Sequence, residues 1–63
     1  MLEIGDRVVD IKDINSLSTS EIRNKAGVIT AINNTHAHVE INGQPQEILL
    51  SELIKLSLVV NKK

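Results

Sequence analysis

The dipeptide Asn42-Gly43 constrains this chain more than any other feature. Both residue types tolerate positive φ, which a two-residue hairpin turn of type I′ needs at both central positions. On its N-terminal side, "HAHVEIN" alternates. Ala37, Val39 and Ile41 fall on one face, and His36, His38 and Glu40 on the other. That period of two marks a half-buried strand. On its C-terminal side, "QEILL" returns as a second strand over 46–50. If the turn uses two residues, Ile48 and Leu50 share the face of Val39, and His38 stands opposite Glu47 on the outer face. Pro45 cannot donate a ladder hydrogen bond, so a longer loop over "NGQP" is the alternative.

Further strands flank this hairpin. Residues 7–11, "RVVDI", are rich in β-branched side chains and follow a Gly5-Asp6 turn. Val9 and Ile11 share one face of a regular strand and Val8 takes the other, a pattern that fits a bulge or burial on both sides. Residues 28–32, "VITAI", form another strand, with the "NNT" turn after it. Ser51-Glu52-Leu53 suits a single 3₁₀ turn. The run "IKLSLVV", 54–60, alternates through Ile54, Leu56, Leu58 and Val60 and reads as a fifth strand. Between the first and second strands lies "KDINSLSTSEIRNKA", polar with Ile14, Leu17 and Ile22 as isolated apolar anchors. Ser18 and Glu21 have capping-box spacing, and Gly27 is placed to end a short helix over 19–25. A long loop pinned by the apolar anchors is the other reading of that segment. Residues 1–60 therefore make a single domain, and 61–63 are expected to fray.

The core must be aliphatic, because the 63 residues include no Phe, Trp or Tyr. There is no cysteine either, so disulfides and thiolate metal sites are excluded. A domain of this size buries only about 60% of its unfolded surface, which makes self-association an expected source of further stability. The net charge of −1 argues against non-specific nucleic-acid binding, where phosphate neutralisation dominates affinity. No apolar run approaches the roughly 20 residues that a transmembrane helix needs. With neither a basic leader nor an apolar h-region at its start, the chain is expected in the cytoplasm.

On "IGDRVVDI", "AGVITAI", "HVEING" and "SELIKL", the chain resembles small SH3-like barrels, including the KOW-type domains. The resemblance implies an all-β fold: a five-stranded, partly open barrel with a long first loop, a tight distal hairpin and a 3₁₀ turn before the last strand. It spans roughly residues 3–58 and fixes little about function, since the architecture carries many activities. Members that grip proline-rich peptides use aromatic-lined grooves, which this chain lacks. KOW-type members that contact RNA imply a basic patch. The oligomeric dihydrofolate reductases of this fold carry a Val-Gln-Ile-Tyr stretch. Val39-Glu40-Ile41-Asn42 is the nearest match here, without the glutamine and tyrosine.

The expected function is accordingly that of a non-enzymatic interaction module, docking onto a larger protein or onto itself. Arg7, Arg23 and Lys25 around the long loop are its candidate binding residues, with Leu49 as an apolar contact. A nucleic-acid accessory role through the same cations is the first alternative, and an oligomeric enzyme the second. No cofactor is expected. His36, His38 and Glu40 project from one strand face and are weak candidates for a metal site, because such sites draw ligands from several elements. Their plainer reading is a solvated face with a His38–Glu47 pair. Asp6, Asp10 and Asp13 read as turn residues. Ser16, Ser18, Thr19 and Ser20 read as loop and cap hydroxyls.

Overall fold

The computed structural model describes residues 1–60, with the side chain of Val60 excepted; the expected frayed tail at 61–63 lies outside the described residues. Its elements in order are β1 (Arg7–Asp10), α1 (Ile11–Ile14), α2 (Thr19–Lys25), β2 (Gly27–Ile32), β3 (His36–Ile41), β4 (Gln44–Leu49), a 3₁₀ turn (Leu50–Glu52), β5 (Leu53–Lys55) and α3 (Leu56–Val60). The strands form one antiparallel sheet in the order β4-β3-β2-β1-β5. The sheet does not close, and β4 and β5 are its two edges.

The hairpin forms as the dipeptide dictates. Asn42 and Gly43 have φ of 53° and 81°, and Ile41 pairs with Gln44 directly across the two-residue turn. The longer "NGQP" loop is not adopted: β4 starts at Gln44 and Pro45 sits within it. Proline is tolerated there because β4 is an edge strand. Ala37 pairs with Ile48 and His38 with Glu47, the register that a two-residue turn requires.

A second irregularity bends the sheet. Ile29 pairs with Val39, but the next pair is Ala31 with His38, so Thr30 is the extra residue of a bulge. Its Oγ1 donates to the His38 carbonyl at 3.3 Å. The bend curls the strands around a first cluster of Val8, Ile29, Ala37, Val39 and Leu53, against which Ile48 and Leu50 pack.

β1 is buried on both faces. Val8 and Val9 are adjacent and almost fully buried, yet they belong to different clusters. Val9 meets Ile22 of α2 and Leu56 of α3, with Ile14, Leu17 and Ile54 around them. The apolar anchors of the long segment are thus the underside of a small helical layer on the outer face of β1 and β5.

α2 takes the helical reading of 19–25. The Ser18 hydroxyl accepts from the Glu21 N–H at 3.3 Å, and the Glu21 carboxylate accepts from the Ser18 N–H at 2.9 Å. Gly27 does not terminate the helix. Ala26 caps it in an extended conformation, and Gly27 already belongs to β2. Glycine stands there because β3 is too close for anything larger. An added Cβ would run into a Val39 methyl and come within 2.6 Å of Ile41 Cγ1 and 2.8 Å of the Glu40 carbonyl oxygen.

Two further expectations are corrected. Ile11 leaves the first strand, because Asp10 accepts from the Lys12 N–H at 2.9 Å and caps the single turn of α1. The fifth strand stops at Lys55, and residues 56–60 are helical rather than extended. Leu56 and Val59 lie three residues apart on one helical face and both reach the second cluster, which a strand over the same residues would not allow.

Candidate functional site

The outer face of the sheet carries most of the candidate residues. Cross-strand register puts Arg7 beside Val28, Val28 beside Glu40, and Glu40 beside Pro45 in one row. Further along β3 and β4 come the His38–Glu47 and His36–Leu49 pairs. Arg7, Glu40, Glu47 and His38 are exposed, and Val28 and Leu49 are exposed aliphatics on the same face.

Arg7 and Leu49 are not brought together. They lie on strands three apart and at opposite ends of the row pattern, roughly 20 Å by strand spacing and rise. Arg23 and Lys25 sit in the last turn of α2, where cations complement the helix dipole. Lys25 lines a groove of about 360 Å³ together with Asp10 and Asp13, facing Gln44, Gln46 and Ile48 of β4. Arg7 and Glu40 lie two strands apart in the same row, with Val28 between them. Among the described residues, none of Arg7, Arg23 and Lys25 makes a salt bridge.

The histidine face holds together by short local contacts. Asn33 Oδ1 accepts from the N–H groups of Thr35 and His36 at 2.9 and 2.8 Å, which fixes the turn into β3. Thr35 Oγ1 lies 2.7 Å from His36 Nδ1. His38 Nε2 lies 3.9 Å from a Glu47 carboxylate oxygen, with both side chains about half exposed, so the pair is worth well under about 1 kcal/mol. Among the described residues, no three His, Asp or Glu side chains are grouped to hold a metal ion, so His36, His38 and Glu40 do not make a centre together.

Two of the three acidic residues of the opening segment, Asp6 and Asp10, have structural partners. Asp6 accepts from the Glu3 N–H at 2.8 Å and lies 3.7 Å from Lys55 Nζ. Asp10 caps α1 and lies 3.8 Å from Lys12 Nζ. Among the described residues no polar or charged side chain is buried. No helix among them is long and apolar enough to cross a membrane.

What the residue-by-residue reading missed is the backbone of β4. The Leu50 N–H donates to the Thr35 carbonyl at 2.9 Å, in line with the β3–β4 register. Antiparallel pairs alternate, so Gln44, Gln46 and Ile48 also turn their backbone groups toward β3. Pro45, Glu47 and Leu49 therefore turn theirs away from the sheet, toward solvent. Five of the six β4 residues are exposed. The signal was Pro45: a proline inside an alternating run marks an edge strand as readily as a loop. The chain matches no family model, no curated protein and no solved structure.

Proposed function

We propose that this chain is a small SH3-like interaction module that docks onto a larger protein or onto a second copy of itself, and performs no chemistry of its own. The observation that carries the reading is the open edge of β4, where Glu47 and Leu49 turn to solvent backbone groups that have no partner among the described residues, and Leu49 presents an exposed aliphatic side chain. Such an edge adds a further strand by main-chain hydrogen bonding. The strand order, the helical excursion after β1, the distal Asn-Gly hairpin and the 3₁₀ turn before β5 support the SH3-like assignment. A cytoplasmic setting fits a chain without cysteine.

The cations support a nucleic-acid role less well. Lys25 shares its groove with Asp10 and Asp13, Arg7 shares its row of the sheet with Glu40, and the net charge is −1. Phosphate binding would need these positive charges concentrated and unopposed. A tagged pull-down from native lysate, split into nuclease-treated and untreated halves, separates the two. Docking predicts the same retained proteins in both halves and little loss at raised salt. Proteins that vanish with nuclease treatment refute docking, and then Arg7, Arg23 and Lys25 are the first residues to replace with alanine. A chain that stays monomeric and retains nothing in either half also refutes it.

A further inference from the structure

We propose that the occupant of the β4 edge is a second copy of this chain, with the two β4 strands pairing antiparallel about a two-fold axis at Ile48. This rests on the docking reading and names its partner. Two-fold pairing of a strand with itself sets one residue opposite its own copy and fixes every other pair. An axis at Glu47 sets two carboxylates against each other. It also puts Pro45, which has no N–H, opposite Leu49 of the second copy. An axis at Gln46 sets Pro45 against Glu47 of the second copy, again without a donor. An axis at Leu49 runs the pairing into the 3₁₀ turn at Leu50–Glu52, where the strand has ended.

With the axis at Ile48, the residues that exchange hydrogen bonds all lie within β4 and none of them is Pro45. Glu47 then faces Leu49 of the second copy, and Leu49 faces its Glu47. Each pair exchanges both backbone hydrogen bonds, because these are the residues whose N–H and C=O groups point off the sheet. Ile48 meets Ile48 of the second copy on the inner face, where it is only half-buried and packs at the rim of the first cluster. Gln46 lies opposite Leu50 of the second copy. On the outer face each Glu47 keeps His38 as its neighbour, and no like charges meet. Pro45 ends the pairing on either side and holds it to this short register. β5 offers no comparable edge. It is three residues long, runs directly into α3, and has Met1 and Leu2 alongside it.

Two variants test the register in a chain with no other cysteine. Ile48→Cys places the two sulfurs at a non-hydrogen-bonded pair, where Cα atoms lie about 4.5 Å apart and a disulfide fits. Mild oxidation is expected to convert it to covalent dimer. Gln46→Cys leaves its two copies about 13 Å apart, so it should stay uncrosslinked under the same conditions. Leu49→Pro removes an outward N–H without strain, because Leu49 already has φ −59° and ψ 136°. It should fold as the parent does by circular dichroism while its dimerisation weakens on the order of tenfold or more.

Sedimentation equilibrium with interference optics, from micromolar to millimolar chain, reads the mass. The expected result is a rise toward twice the monomer mass for the parent and a shift back toward monomer for Leu49→Pro. A parent that stays monomeric at millimolar concentration overturns the proposal. So does a dimer that Leu49→Pro leaves intact, or one in which Ile48→Cys crosslinks no faster than Gln46→Cys. A monomer that still retains nuclease-resistant protein partners overturns the self-pairing alone and leaves the docking reading standing.

Discussion

Replacing Gly27 with alanine adds one methyl group at the tightest approach in the sheet. The new Cβ meets a Val39 methyl, Ile41 Cγ1 at 2.6 Å and the Glu40 carbonyl oxygen at 2.8 Å. Ordinary contacts there run about 3.5–4 Å, so β2 and β3 must separate by close to 1 Å or tilt. Val39 is 1% exposed and cannot swing aside, and the Glu40 oxygen is backbone. Overpacking of this kind costs about 3 kcal/mol at the upper end of its range. Against it stands a gain of about 0.4–1 kcal/mol, because alanine restricts the unfolded chain more than glycine does. The net is about 2 kcal/mol of destabilisation. In a domain of this length that lowers Tm by about 8–16 °C. Far-UV circular dichroism is the assay, since the chain has no Trp or Tyr to report by fluorescence. An unchanged or higher Tm would falsify the close-approach account of Gly27. Adding Val39→Ala to the variant should cost less than the sum of the two single changes, because one of the clashing methyls is gone.

Three further substitutions test the other local arguments. Gly43→Val forces a β-branched residue to φ near 81° and should cost about 1–2 kcal/mol in urea unfolding; no change would mean the Asn42-Gly43 turn does not need positive φ. Val39→Asp puts an unpaired carboxylate into the first cluster and should abolish the cooperative thermal transition, and a variant that melts like the parent would place Val39 outside that cluster. Ser18→Ala removes the capping box and should cost about 1 kcal/mol with some loss of helical ellipticity, so full retention of both would detach α2 from its cap.

The sheet was most legible where local chemistry and periodicity agreed. Asn42-Gly43 and the alternation of 36–41 signal the hairpin locally, and the two-residue turn, once formed, gives the register with its His38–Glu47 pair; the longer loop that Pro45 also allows is not ruled out by local chemistry. The capping pair Ser18 and Glu21 signalled α2 just as locally. Residues 56–60 failed for the opposite reason. A five-residue apolar run satisfies period two and one helical turn alike, and the choice was made by Val9 and Ile22, far away in sequence. A helix stop is the local reading of Gly27, whereas its reason is the proximity of β3, which leaves no mark in neighbouring residues. Lys25 ends up sharing a groove with Asp10 and Asp13, a neighbourhood that the positions of Arg7, Arg23 and Lys25 in the chain do not announce. The β4 edge left one mark in side-chain type, Pro45, which a loop explains equally well; the rest of its information lies in backbone direction.

The two-sided burial of β1 governs how this small molecule comes apart. Val8 closes one cluster and Val9 the other, so a single tetrapeptide is the shared wall of both. Neither cluster can open without withdrawing that wall from its neighbour. Two cores that would be too small to persist separately therefore melt as one unit. The amide protons of residues 8 and 9 should exchange with solvent deuterium only through global opening, at the slowest rate in the chain, while those of α1 and the exposed edge of β4 exchange through local fluctuations.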